Sequence, residues 1–349
     1  MSTGGSFTHE PVMAEEVTEL FSEVPPGIAV DATAGGGGHA ARLLSSRSDL
    51  HLVAIDRDEA AVAAVRRVLA EFGDRVTIVH SGFDHLAEAL ATVLPGAATE
   101  PTPSERAGGH VSDRGMRGRE GVAPAAPRPV TAVLFDLGVS SPQLDDPDRG
   151  FSYRYDAPLD MRMDRTRLET AAHLVNESDE RELTRILRGY GEERFARQIA
   201  REILRRRPVT TTGELVDAIR AAIPAPARRT GGHPAKRTFQ ALRIAVNDEL
   251  GQLERGLDAA FDALAPGGRL VVLSYHSLED RIVKRRFVDW STGGSHASGL
   301  PTRETSRGGS ARVLTRRPLR PSPDELARNP RAESARLRAL EKTSGPAAA

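Results

Sequence analysis

The chain of 349 residues contains no cysteine, which excludes disulfide scaffolds, thiolate metal centres and cysteine nucleophiles. It also lacks net charge, since 48 Lys and Arg balance 48 Asp and Glu. The molecule is therefore no polycation, and any attraction to nucleic acid must come from local patches. Lysine occurs only at 236, 284 and 342; a bias in genome composition explains that better than a specific need for guanidinium. No H-E-x-x-H or other paired histidine spacing is found, so no catalytic metal is expected. The opening "MSTGGSFTHEPVM" has no basic segment followed by an apolar one, and no later apolar run approaches membrane-spanning length. A cytoplasmic protein that engages no membrane is expected.

What the sequence does contain is an alternation. Short apolar runs at 27–32, 51–58, 75–83, 130–141 and 268–277 are separated by helical patterns. They read as buried parallel strands with helical crossovers, an α/β doubly wound sheet. Two insertions interrupt it. Residues 95–129 hold six Gly and six Pro but no Leu, Ile or aromatic residue, too little apolar surface to offset ordering, so a disordered loop is expected. Residues 148–236 form a helical block in which Leu183, Ile186 and Leu187 share a face and Thr211 with Glu214 predicts a capping box. One long helix from about Thr238 to Leu264 follows; burial against its own sheet is the simpler use of its apolar face, a homodimer the alternative. The expected plan is 1–147 and 237–290 as two parts of one sheet domain, 148–236 inserted between them, and 291–349 as a largely flexible tail. That tail carries 11 Arg and Lys against 5 Asp and Glu.

The stretch "VDATAGGGGHAA", Val30 to Ala41, matches the dinucleotide pattern through Gly35, Gly37 and Ala40, so an NAD-type site must be weighed. Asp31 argues against it, because a diphosphate in that loop would lie beside a negative charge. S-adenosylmethionine, with a sulfonium, an ammonium and no phosphate, suits the same place. Asp56, 25 residues beyond Asp31, is positioned to accept both ribose hydroxyls. Phe83 offers a face to adenine or a side chain to the core. Asp136 closes the fourth strand, so three acids stand at binding edges of an open sheet.

These residues resemble a known family, the bacterial 16S ribosomal RNA cytosine-N4 methyltransferases (the MraW family). The resemblance is carried by "HEPVM" (9–13), "DATAGGGGHA" (31–40), "AIDRD" (54–58), "FDLGVSSPQLDDPDRGFSYRYDAPLDMRMD" (135–164), "KRTFQALRIAVNDEL" (236–250), "GGRLVVLSYHSLEDRIVKRRF" (267–287) and the weaker "ESARLRALEK" (333–342). It implies a class I S-adenosylmethionine-dependent methyltransferase sheet with an inserted helical substrate-recognition domain. It further implies methylation of the exocyclic amine of one cytidine in the decoding region of 16S rRNA; the need for a folded decoding site makes the small ribosomal subunit the expected partner. By position, the cofactor contacts would be Gly37, Gly38, His39, Asp56, Phe83, Asp136 and Gln143. The 95–129 insert is longer than the resemblance requires.

Cytosine N4 is a poor nucleophile, so positioning should carry much of the catalysis. Asp136 is the candidate to accept from the amine and take its proton, with Ser140 or Ser141 in support. Tyr275, His276 and Glu279, just past the last expected strand, are candidates to stack on or hydrogen-bond a flipped base, and His276 is the second catalytic candidate. The clusters at 205–214 and 226–240 are expected to meet rRNA phosphates. An NAD(P)-dependent oxidoreductase and a non-catalytic rRNA-binding assembly factor are the alternatives.

Overall fold

The computed structural model describes residues 11–93, 128–229, 232–293 and 309–344. All five expected strands form: β1 (Gly27–Asp31), β2 (Leu50–Asp56), β3 (Val76–His80), β4 (Val130–Asp136) and β5 (Leu264–Ser274). They pair in parallel, β3-β2-β1-β4-β5, and helices cover both faces. Side chains alternate across the sheet as strand geometry requires. Ile28, Val30, Val53 and Phe135 enter the core under α4 (Leu86–Val93) and α11 (Glu249–Ala263). Ala29, Leu52, Ala54 and Leu134 enter the core under α1 (Ala14–Phe21) and α2 (Gly38–Ser46). Between β2 and β3, α3 (Glu59–Val68) begins at Asp58, whose carboxylate accepts from Ala60 N at 3.0 Å, and the short α5 (Ser141–Asp145) follows β4.

The end of the chain departs from expectation. In place of a largely flexible tail, residues 311–313 form β6 and 336–342 form β7. β7 lies antiparallel between β5 and β6, giving the order β3-β2-β1-β4-β5-β7-β6. Leu337, Ala339 and Leu340 are fully buried there. The local surplus of arginine concealed this short apolar alternation. Arg338 is held inside by Asp280, with Nε to Oδ1 at 2.6 Å.

The helical unit comprises α6 (Ala171–Glu177), α7 (Glu180–Gly191), α8 (Ala196–Arg206), α9 (Thr212–Ala222) and α10 (Lys236–Asn247). The Thr211–Glu214 capping box forms at the start of α9. This unit runs beyond residue 236, because Phe239, Leu242 and Val246 of α10 belong to its core. The single helix expected from Thr238 is two helices, broken at Asp248, which adopts φ 49°. Aspartate tolerates that left-handed conformation better than most residues. The Asn247 side chain accepts from Met163 N and donates to Met161 O, both at 2.8 Å, tying the break into the helical unit. One apolar face thus serves two cores. Nearly all of the expected 95–129 insert lies outside the described residues, as does much of the tail between β5 and β6.

Candidate active site

Five strand ends meet at one edge of the sheet, and each contributes. Asp31 ends β1, Asp56 ends β2, Phe83 follows β3, Asp136 ends β4 and Tyr275 follows β5. The glycine loop is stitched across them. Gly35 N donates to Asp56 Oδ2 at 2.8 Å, and Asp136 N donates to Thr33 Oγ1 at 2.6 Å. Gly37 takes φ 80° at the start of α2, where a Cβ would also press on Val68 at 3.3 Å. At Gly36 a Cβ would meet nothing within 4 Å, so the loop's backbone is open to a ligand. Gly38 opens α2 against Pro11, which a Cβ there would approach to 3.2 Å.

Asp31 is buried, with Oδ1 accepting only a long 3.2 Å bond from Thr33 N. Burial raises its carboxyl from 3.8 to about 7; His39 opposes the rise, while Asp136 and Asp56 add to it. Burial likewise raises Asp56, although Asp58 N and Gly35 N both donate to it. Three acids at one edge with a buried carboxyl short of positive charge fit a cation and repel a diphosphate. His39, in the first turn of α2, is buried with Nε2 3.5 Å from Asp136 Oδ2 and without a hydrogen-bond partner among the described residues. Asp136 Oδ1 accepts from Tyr275 Oη at 2.7 Å. Burial first, then Asp136, holds the Tyr275 hydroxyl well above its ordinary range, so it remains a donor. The ring lies 3.2 Å from where a Cβ on Gly138 would stand, and Gly138 has φ 104°.

Phe83 packs edge-on to Phe135, centroids 5.6 Å apart, and against Gly256, where a Cβ would come within 2.8 Å of the ring. Part of its role is thus core packing. Gln143 is buried and engaged on both ends of its amide, Nε2 to Asp58 Oδ2 at 2.8 Å and Oε1 from Ser140 N at 3.1 Å. The same Asp58 oxygen lies 2.9 Å from Arg149. This buried trio joins the loop after β4 to the residue two beyond Asp56. Nothing periodic in the sequence signals Arg149; the signal that could have found Asp58 is an acidic residue standing directly before a helical run, where an N-cap is favoured.

His276 does not join Asp136. Its Nδ1 accepts from Glu279 N at 3.4 Å, its Nε2 sits 3.1 Å from Glu279 Oε1, and Glu279 accepts from Tyr275 N and His276 N. It therefore caps α12 (Ser277–Thr292) in a capping box. The geometry gives His276 this structural role, and among the described residues no contact ties it to Asp136. Glu279 is consumed by the same box, so of the three residues expected to face a base only Tyr275 reaches the cluster.

The strand order adds a discriminating fact. A dinucleotide-binding sheet runs 3-2-1-4-5-6 in parallel, whereas here antiparallel β7 is inserted before β6. Sheet and acid-lined edge together define a class I methyltransferase, and the oxidoreductase alternative falls. The family model described as the MraW methylase family matches residues 6–343, and the chain belongs to that family. Its methyl donor is S-adenosylmethionine. A relative from Heliobacterium modesticaldum is 48% identical over 96% of this chain and 99% of its own length. One from Symbiobacterium thermophilum is 49% identical over 97% of each chain, and one from Thermobifida fusca 50% identical over 97% of this chain and 94% of its own. All three are named ribosomal RNA small subunit methyltransferase H. Among the described residues no helix is long and apolar enough to cross a membrane.

Proposed function

We propose that this protein methylates the N4 amine of one cytidine in the decoding region of 16S rRNA, within the small ribosomal subunit. The relatives' names support rRNA of the small subunit as the substrate class. The observation that carries the amine target is the asymmetry of Asp136. One oxygen is anchored by Tyr275, while among the described residues the other faces only Nε2 of His39, itself without a hydrogen-bond partner there. An acceptor held that way, beside a cation-binding acid, suits a nitrogen that must lose a proton as it gains a methyl.

Asp31 and His39 would line the methionine portion of the donor, the backbone of Gly36, Gly37 and Gly38, open at Gly36, would lie along it, and Asp56 would accept its ribose hydroxyls. Phe83 would flank the base, and Gln143 would steady the loop after β4. When bound, S-adenosylmethionine supplies an electrophilic methyl on sulfur. Asp136 Oδ2 accepts an N4 hydrogen, draws the amine lone pair out of conjugation with the ring, and holds the proton released as the N–C bond forms. Tyr275 fixes the carboxylate plane, so the acceptor does not swing away from the amine.

The test is transfer of labelled methyl to unmodified small subunits and, in parallel, to naked 16S rRNA, followed by digestion to nucleosides. N4-methylcytidine is the expected product, formed on particles in preference to naked RNA. Methyl on carbon or on a ribose oxygen would refute the amine assignment. Asp136→Asn should cut single-turnover transfer by about 10²–10⁴-fold with cofactor affinity changed only a few-fold. Full turnover in that variant removes Asp136 from the reaction. Binding of rRNA with no transfer at all would favour the assembly-factor alternative.

A further inference from the structure

The two basic clusters conspicuous in the sequence have their guanidinium groups largely occupied. Arg205 and Arg206 both bond Glu202, Arg207 reaches the carbonyl oxygens of Val175 and Ser178, and Arg237 donates to Glu192 O. Uncommitted positive charge lies elsewhere, on Arg181 and Arg188 of α7; Arg185 between them is held by Glu182, Nη2 to Oε1 at 2.7 Å, and lies over the Tyr190 ring. Arg181, Arg185 and Arg188 are spaced four and three apart, which puts them on one helix face, opposite buried Leu183, Ile186 and Leu187. Arg181 and Arg188 are exposed and have no acidic partner among the described residues. Together with Glu180, Thr184 and Arg197 these arginines line an open groove of about 810 Å³. Arg197 is tied to Glu180 and Arg185 to Glu182, so two of the four arginines there, Arg181 and Arg188, remain unpaired among the described residues.

Two further features point to a ligand. Thr184 Oγ1 is buried in the groove lining without a hydrogen-bond partner. Gly189, also in the lining, has nothing within 4 Å of where a Cβ would stand, so the helix backbone is bare to close approach. The groove also has a direction. Just past the C-terminus of α7, Glu192 accepts from Ser277 Oγ at 2.9 Å and from Arg281 at 3.1 Å, at the start of α12 and two residues from Tyr275. From Arg181 to Arg188 the helix rises about 10 Å, enough to meet successive phosphates.

We infer that the α7 groove binds the phosphate backbone of the rRNA segment leading to the target cytidine, with Arg181 and Arg188 as its phosphate contacts. This rests on the rRNA reading above. An arginine face that only solvates a helix is the competing explanation, and salt dependence separates the two. Each phosphate contact on a single strand contributes roughly 0.7 to the slope of log affinity against log salt.

The experiment uses the full chain and measures binding to unmodified small subunits and to their 16S rRNA from roughly 50 to 300 mM KCl. Arg181→Gln/Arg188→Gln should lower the slope by about 1.4 and weaken binding at low salt by about tenfold or more. S-adenosylmethionine affinity and melting temperature should stay at wild-type values, and Arg181→Lys/Arg188→Lys should recover most of the slope. Arg66→Gln/Arg67→Gln on α3 removes the same charge away from the groove and serves as the control. A slope change no larger than the control's overturns the groove assignment even if wild-type methyl transfer is intact. No transfer by wild type, with the groove variants still weakening RNA binding, would instead sink the rRNA methylation reading and leave the groove standing. Absence of RNA binding by wild type overturns both.

Discussion

Asp31→Asn should make the protein more stable and less able to bind its cofactor. The Asp31 carboxyl rises from 3.8 to about 7 on folding, chiefly through burial. A raised carboxyl contributes most to stability below its unfolded value, and that contribution is lost as pH climbs towards the folded value. Near pH 8 the buried carboxylate therefore costs about 4 kcal/mol, taking about 1.4 kcal/mol for each tenfold change in the ionisation constant. Asparagine removes the charge but brings an amide that needs partners, so a net gain of about 1–3 kcal/mol is expected. For a chain of this size that is a rise in melting temperature of roughly 1–4 °C. Below about pH 3, where Asp31 is mostly protonated in both states, the gain should vanish.

Cofactor binding should move the opposite way. With a carboxyl at about 7, roughly half of the free protein carries the charge at pH 7 but only about 3% at pH 5.5. A cationic ligand that requires the ionised form therefore binds about 16-fold more weakly at pH 5.5, and its binding releases a proton. Those two pH values lie below the titration of the ligand's own α-amino group. Calorimetric titration with S-adenosylmethionine in two buffers of different ionisation enthalpy reads both the affinity and the proton. Asp31→Asn should bind at least tenfold more weakly at pH 7, with a flat profile and no proton release. An asparagine variant that binds as wild type does with the same pH profile, or that melts lower at pH 8, would refute the placement of a cation against Asp31.

Three other expectations follow from the same contacts. Tyr275→Phe keeps the ring over Gly138 but frees Asp136 Oδ1; kcat should fall about tenfold with KM nearly unchanged, and an equal loss in KM alone would contradict an orienting role. Arg149→Met leaves Asp58 buried with only Gln143 and backbone donors, a loss of about 3–5 kcal/mol visible in denaturant unfolding, whereas a variant as stable as wild type would show the pair to be dispensable. Ending the chain before β7 bares the edge of β5, whose full register from Arg269 to Ser274 pairs with that strand. Such a truncation should aggregate on expression, and a soluble, cofactor-binding product would contradict the structural role given to the C-terminal strand.

Much of the fold was legible because the strands that build it are buried on both faces. Runs such as "HLVAID" and "TAVLFD" need no partner to be recognised, and parallel strands joined by helices admit few topologies. β7 was illegible for the complementary reason: Arg336, Arg338 and Lys342 interrupt its apolar residues, and only Asp280, on another element, makes Arg338 tolerable inside. The break at Asp248 was hidden because the apolar spacing continues through it, although each half faces a different core. Identical periodicity cannot say which core a face will meet.

At the site, the sequence by itself determined where the chemistry would gather. Acids at the ends of consecutive parallel strands must share one edge of the sheet, and glycines between a strand and a helix must open the backbone there. Tertiary structure alone decided what each group can do. It buried Asp31 deeply enough to alter its ionisation, pinned one oxygen of Asp136 with a tyrosine 139 residues away, and turned His276 into a helix cap. It also paired off most of the arginines that stood together in the sequence, and on α7 it tied Arg185 to Glu182 while leaving Arg181 and Arg188 without an acidic partner among the described residues. Charge and spacing are properties of the chain, but burial and partnership depend on segments far apart in sequence, and these last two fix the energy of an ionised group.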